Sequence, residues 1–234
     1  MLNKYVNLSI IFKGIKNMKK LLSAIVVTFS LISFGAVQSA GFSLGVGISD
    51  GAYHGYGKET NGTDVTEEAG VFEAGYEVIF GEIAVNDTVS FGIEFVPGDF
   101  STPTNTNIQE DITTSATSTV QTNTVKATFE DLITIYAQAK LWGPVYAKLG
   151  LMSVSVITNE SLGTGGSYGN KDTDGVMFGL GLNHDLDNGM FIRFEVQASQ
   201  YDDITAANTT DSTKTVTMSE MMGAQGSIRI GKTF

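Results

Sequence analysis

Apolar and polar residues alternate one for one along most of this chain, and a period of two commits it to strands with one greasy face and one wet face. The run Phe42, Leu44, Val46, Ile48 has Ser43, Gly45 and Gly47 between its members. The next sets Phe72, Ala74, Tyr76, Val78 and Phe80 against Glu73, Gly75 and Glu77, and a third sets Val89, Phe91, Ile93 and Phe95 against Ser90, Gly92 and Glu94. In the fourth, Phe129, Ile133, Ile135, Ala137, Ala139 and Leu141 oppose Glu130, Thr134, Tyr136, Gln138 and Lys140, with Asp131 breaking the apolar side. Further runs start at Val145, Val176, Met190 and Met218, the last ending on Ile228, Ile230 and Phe234 with Ser227, Arg229 and Thr233 opposite. Eight runs are visible and none has helical spacing.

The connections alternate as well. Short links follow the second, fourth and sixth runs: Glu82 to Thr88, Trp142 to Pro144, and Asp185 to Gly189, where Asn188-Gly189 is a hairpin signal. Long polar links follow the other runs, over 49–69, 97–124, 158–173 and 202–215. A soluble sandwich also alternates, but it has no reason to sort its turns by length. Short turns at one end and long loops at the other fit a membrane barrel, as do strands of ~9–11 residues tilted across a bilayer. The expected fold is therefore all-β: an eight-stranded antiparallel up-and-down transmembrane β-barrel with short periplasmic turns and long extracellular loops. In lipid its last strand must pair with its first, because an open edge cannot exist in hydrocarbon.

The other end of the chain agrees. From Met18 a basic pair, Lys19 and Lys20, precedes an apolar run to about Val37 and small residues at Ser39 and Ala40, the layout of a cleaved secretory signal peptide. A permanent anchor has no need of those small residues. Residues 1–40 are expected to be an N-terminal extension and signal peptide, and residues 41–234 the barrel. Removing 1–40 takes five of the 14 basic residues and none of the 25 acidic ones, leaving a net charge of −16. Such a chain repels nucleic acid. With no cysteine, disulfides and thiolate metal sites are excluded.

With these features the mature chain resembles the small eight-stranded outer-membrane proteins of Gram-negative bacteria, of the OmpA, OmpX and OmpW type. The resemblance implies residence in the cell outer membrane, contact with its lipid and lipopolysaccharide, and a monomer delivered by periplasmic chaperones. In such proteins a C-terminal aromatic residue preceded by alternating apolar residues is read by the outer-membrane assembly machinery. Ile228, Ile230 and Phe234 match that signal, and Lys232 departs from it where the family carries an apolar or aromatic residue.

Eight strands enclose a space that side chains just fill. The residues expected on the wet inner face include Glu73, Glu77, Glu94, Glu130 and Glu195 against Lys140, Lys148, Arg193 and Arg229. Buried charges need partners, so this set reads as a salt-bridged plug, or alternatively as a gated narrow passage for small or hydrophobic solutes. The stretch Asn170 to Gly175 has the spacing of half a calcium loop but lacks its final glutamate, and reads as a solvated turn. The glycine-rich stretch 163–169 precedes no helix and reads as a flexible loop. Of the two histidines, His184 beside Asp185 reads as a turn residue, and His54 near Asp50 could in principle pair as acid and base, but no nucleophile motif supports it. No cofactor, metal or enzymatic activity is expected. The expected role is structural or surface-interacting, through acidic extracellular loops.

Overall fold

The structure, a computed structural model, describes residues 41–111, 119–163 and 165–234. The signal segment expected over 1–40 lies outside the described residues. Eleven strands follow in order: β1 (Phe42–Asn61), β2 (Asp64–Ala84), β3 (Val89–Phe95), β4 (Phe100–Ser101), β5 (Asn105–Asp111), β6 (Thr119–Trp142), β7 (Val145–Ser161), β8 (Lys171–Asp185), β9 (Met190–Tyr201), β10 (Ile204–Ala207) and β11 (Lys214–Thr233). They make eight staves, because β3, β4 and β5 lie in turn against β6, and β9 and β10 lie in turn against β11. All pairings are antiparallel between neighbours, and β1 pairs with β11 from Ser43↔Thr233 to Asn61↔Lys214. That pairing closes the ring, as the two-faced C-terminal strand requires.

The outer wall is an apolar belt. Val46, Ile48, Phe91, Ile135, Leu149, Phe178, Phe194, Val196 and Ile228 all point outward, with Ile48 61% and Val196 64% exposed. In water such a continuous greasy surface aggregates. In a bilayer it meets its proper solvent, and only a closed barrel can present it there with every spanning backbone group paired.

One run, and the start of another, face the opposite way from the sequence expectation. On β2 it is Phe72, Ala74, Tyr76, Val78 and Phe80 that turn inward, while Glu73 and Glu77 lie exposed on the outer wall. The register shows why: Ile79 pairs with Val46 and Glu77 with Ile48, so both share the outward face of β1. Alternation gives a strand's period but not its sign. On β6 the ladder with β7 skips between Glu130 and Ile133, and Asp131 has a positive φ of 55°. This β-bulge flips the parity of everything before it. Phe129 therefore packs inside and Glu130 is exposed outside.

The long loops are mostly strand. β1 has 20 residues, β2 21 and β6 24, about twice what a span requires. The surplus rises above the membrane as a β-extension, so the first link shrinks to a tight turn at Gly62 and Thr63 and the second contains the β5–β6 hairpin. The stretch Asn170 to Gly175 is also no solvated turn, since Lys171–Gly175 is laddered to β7.

One seam interrupts the extension. β2 is paired to β1 along its whole length but to β3 only from Ile79 to Ala84. Above Ile79 no described strand pairs with that edge, because β3 ends at Phe95 and the Val96 N–H donates to the Leu132 carbonyl at 3.0 Å. β4 and β5 likewise pair with β6 alone.

Candidate functional site

Inside the barrel, bulky rings need room that opposing glycines supply. Tyr146 lies across Gly181 and Tyr136 across Gly92, where an added β-carbon would stand 2.3 Å from each ring. Gly181→Val is accordingly expected to cost about 1–3 kcal/mol by overpacking. Urea titration of the protein folded in lipid vesicles measures it.

These rings frame a charge layer of three carboxylates and three cations. Arg193 donates through Nη1 to Glu82 Oε1 at 2.5 Å and through Nη2 to Glu82 Oε2 at 2.8 Å, while its Nε donates to Asn183 Oδ1 at 2.8 Å. The Tyr136 hydroxyl donates to the same Glu82 carboxylate at 2.7 Å. Beside this pair, Lys148 and Arg229 both donate to Glu94, and both reach Glu195, at 3.4 Å and 3.1 Å. The Tyr146 hydroxyl donates to Glu195 at 2.8 Å, and Gln197 donates to its other oxygen. Lys148 also lies 3.9 Å from the centre of the Tyr136 ring, a cation–π contact. All six charged side chains are buried. Equal numbers of opposite charges make the layer neutral, and fork-shaped bonds fix its geometry.

Of the expected network, Glu94, Lys148, Arg193, Glu195 and Arg229 meet in this layer. Glu73, Glu77 and Glu130 do not, for the parity reasons above, and Lys140 sits exposed at the periplasmic mouth, outside the network. Glu82, the bidentate partner of Arg193, is the member that sequence reasoning missed: it reads there as part of a turn, yet β2 runs on to Ala84. Its parity with Phe80 and Val78, opposite to Ile79 and Ile83, is the signal that marks it as inward.

Above the charges lies a cavity of ≈ 20 Å³, space for about one water. The buried Ser49 hydroxyl borders it without a partner among the described residues. Over the cavity, Val96, Leu132, Met152, Val154 and Met177 form an apolar layer with a stack of rings. Phe100 is 5.0 Å from Phe129, 5.2 Å from Tyr76 and 5.7 Å from Tyr53, and Phe72 is 5.8 Å from Phe129. The Tyr76–Phe100 and Phe72–Phe129 contacts reach from β2 to β4 and β6, so side chains bridge the foot of the seam where backbone pairing stops. At the periplasmic end the Phe80 and Phe191 rings stand 6.2 Å apart beneath Arg193. From mouth to mouth, rings and ion pairs alternate.

The extracellular loops are packed together. Gly165, Gly166 and Gly169 have positive φ, and the glycine-rich segment docks on its neighbour: Thr209 N–H donates to the Ser167 carbonyl at 2.7 Å and Ser167 N–H to Thr209 Oγ1 at 3.0 Å. The Tyr168 hydroxyl donates to Glu59 at 3.3 Å, and burial beside that carboxylate makes it a weaker acid, its pKa pushed up to about 12. Burial, with Asp174 and Asp203 close by, also raises the Asp202 carboxyl. His54 is not in a loop: it lies on β1, four extended residues along from Asp50, with Nδ1 3.3 Å from the Glu220 carbonyl. At ~3.4 Å per residue the two side chains stand too far apart for joint acid–base work. Ile228 and Ile230 face outward on β11, and Phe234 ends the ladder, its N–H donating to the Phe42 carbonyl at 2.8 Å. Among the described residues no group of three His, Cys, Asp or Glu side chains could hold a metal ion.

No protein-family profile and no curated protein matches the chain. Solved structures do match it in fold. The outer membrane protein OprG from Pseudomonas aeruginosa is similar over 83% of this chain and 96% of its own, at 14% identity and a TM-score of 0.57. Ail, the attachment invasion locus protein of Yersinia pestis, matches over 83% of this chain and 99% of its own, at 12% identity and a TM-score of 0.38. The outer membrane protease OmpT from Escherichia coli matches over 82% and 97%, at 6% identity and a TM-score of 0.38. The fold is the β-barrel that OprG shows, and the outward apolar belt suits it to a bilayer.

Proposed function

We propose that this outer-membrane barrel is sealed through its lumen and acts at its extracellular end, as a structural and surface-interaction protein. The observation that carries this reading is the neutral three-on-three charge layer, its six side chains buried between rings, with a cavity the size of about one water above it. An ion crossing it would have to break the Arg193–Glu82 fork or the Glu94 and Glu195 clusters. Removing one member of a buried pair costs several kcal/mol. The extracellular extension, by contrast, is exposed and acidic, with Glu59, Asp64, Glu67, Glu68, Asp99, Asp172 and Asp203 set against Lys58, Lys126, Lys171 and Lys214. Such a surface suits cationic partners and divalent ions shared with lipopolysaccharide phosphates, and repels nucleic acid.

The protein folded into planar bilayers is expected to stay silent under applied voltage. Discrete conductance steps from the unmodified chain would overturn the sealed-lumen reading. A second reading, passage of small hydrophobic solutes by a sideways exit, is favoured by the seam beside β2, where rings and not backbone bonds close the wall. It predicts uptake of an apolar dye into vesicles without ion conductance.

A further inference from the structure

Among the described residues, the upper edge of β2 has no strand partner. From Asp64 to Val78 no described strand pairs with the side of β2 that faces away from β1. Near its foot the edge is covered by the ring contacts to Phe100 and Phe129, but from Asp64 to Val71 every residue is exposed. Free strand edges are templates for pairing, and proteins that do not use them cover, shorten or kink them. This edge runs roughly 25 Å, and its ladder with β1 continues unbroken to Asn61↔Asp64.

The chemistry of the edge selects the occupant. Asp64, Glu67, Glu68, Glu73 and Glu77 lie along β2 between Asp64 and Val78, with no lysine or arginine among them, and Asp99 stands on the far side of the seam. Glu67 is engaged already, by the Tyr56 hydroxyl at 2.6 Å and Lys58 at 3.7 Å. Pairing with a neutral strand would desolvate the other carboxylates with nothing to compensate them, and a second copy of the same edge would bring like charges together. We propose that the Asp64–Val71 edge of β2 binds an extended cationic peptide segment as an added antiparallel strand, with backbone bonds giving affinity and alternate lysine or arginine side chains meeting Asp64 and Glu68. This rests on the surface-interaction reading and names its partner class.

The test uses the full mature chain folded in lipid nanodiscs and a dye-labelled decapeptide of alternating lysine and valine. Two controls are the same peptide with alternate backbone amides N-methylated, which keeps the charge and removes the hydrogen bonds, and a glutamate–valine peptide. Binding of the lysine peptide is expected, weakened about tenfold or more both by N-methylation and by the Asp64→Asn/Glu68→Gln double substitution. Because the chain has no cysteine, Thr66→Cys supplies a unique thiol, expected to displace thiopyridone from a lysine peptide tipped with a thiopyridyl-activated cysteine, forming the mixed disulfide far faster than Ser212→Cys in the loop before β11. No binding overturns the proposal. Equal binding by the N-methylated peptide, or equal trapping at both thiols, also overturns it, while leaving a general acidic-surface role standing. Conductance measured on the same preparation reports separately on the sealed lumen.

Discussion

Arg193→Ala is expected to destabilise the folded barrel by about 3–5 kcal/mol, more than any other single substitution in the charge layer. Glu94 and Glu195 each contact two cations, Lys148 and Arg229, so either can lose one and keep the other. Among the described residues Glu82 has Arg193 alone as its ion-pair partner. Truncating Arg193 strands a buried carboxylate and leaves Asn183 without its donor, with only the Tyr136 hydroxyl remaining. Urea unfolding in vesicles, read by the loss of heat-modifiable gel mobility, measures the effect. The companion Arg193→Met/Glu82→Gln removes both charges and is expected to recover most of the loss, since a well-packed apolar replacement of a buried pair is close to neutral. If Arg193→Ala falls within 1 kcal/mol of the unmodified protein, the layer is hydrated and the seal is not as described.

The lumen was only partly legible in the sequence, and the reasons are geometric. Period two is written into every strand, so the eight staves, their order and the closure of β11 on β1 follow from it. The sign of each face is written only where the two faces differ in kind. On β9, Arg193 and Glu195 oppose Phe194 and Val196, and the assignment is unambiguous. On β2 both faces carry apolar residues, because the interior above the charge layer is itself apolar, and Phe72 and Tyr76 belong there. Glu73 and Glu77 then sit outside at the upper rim of the belt, where water and head groups begin. The β6 bulge was visible as Asp131 on the wrong face, but its consequence, the exchange of Phe129 and Glu130, depends on a backbone dihedral that no pattern records. The loops were read as loops because their threonines, asparagines and acids lack an apolar face. Above the membrane neither face of a strand needs one, and hydrogen bonding alone carries the ladders upward.

The seam makes the second large prediction. Phe100 is 7% exposed and touches Tyr53, Tyr76 and Phe129, so it joins the inner faces of β1, β2 and β6 at the height where β2 loses its backbone partner. Phe100→Ala is expected to cost about 3–5 kcal/mol, the range for deleting a buried ring. It should also loosen β2 selectively: amide exchange from Phe72 to Val78 is expected to quicken, while Ile79 to Ile83, still laddered to β3, keeps its protection. The charge layer lies below this level, so the variant should remain non-conducting even as its wall opens. Faster apolar dye entry with no ion current would support a sideways exit, and unchanged dye entry despite a loosened β2 would remove that reading. Uniform weakening of all eight staves would mean that the rings stabilise the barrel as a whole and do not hold this seam.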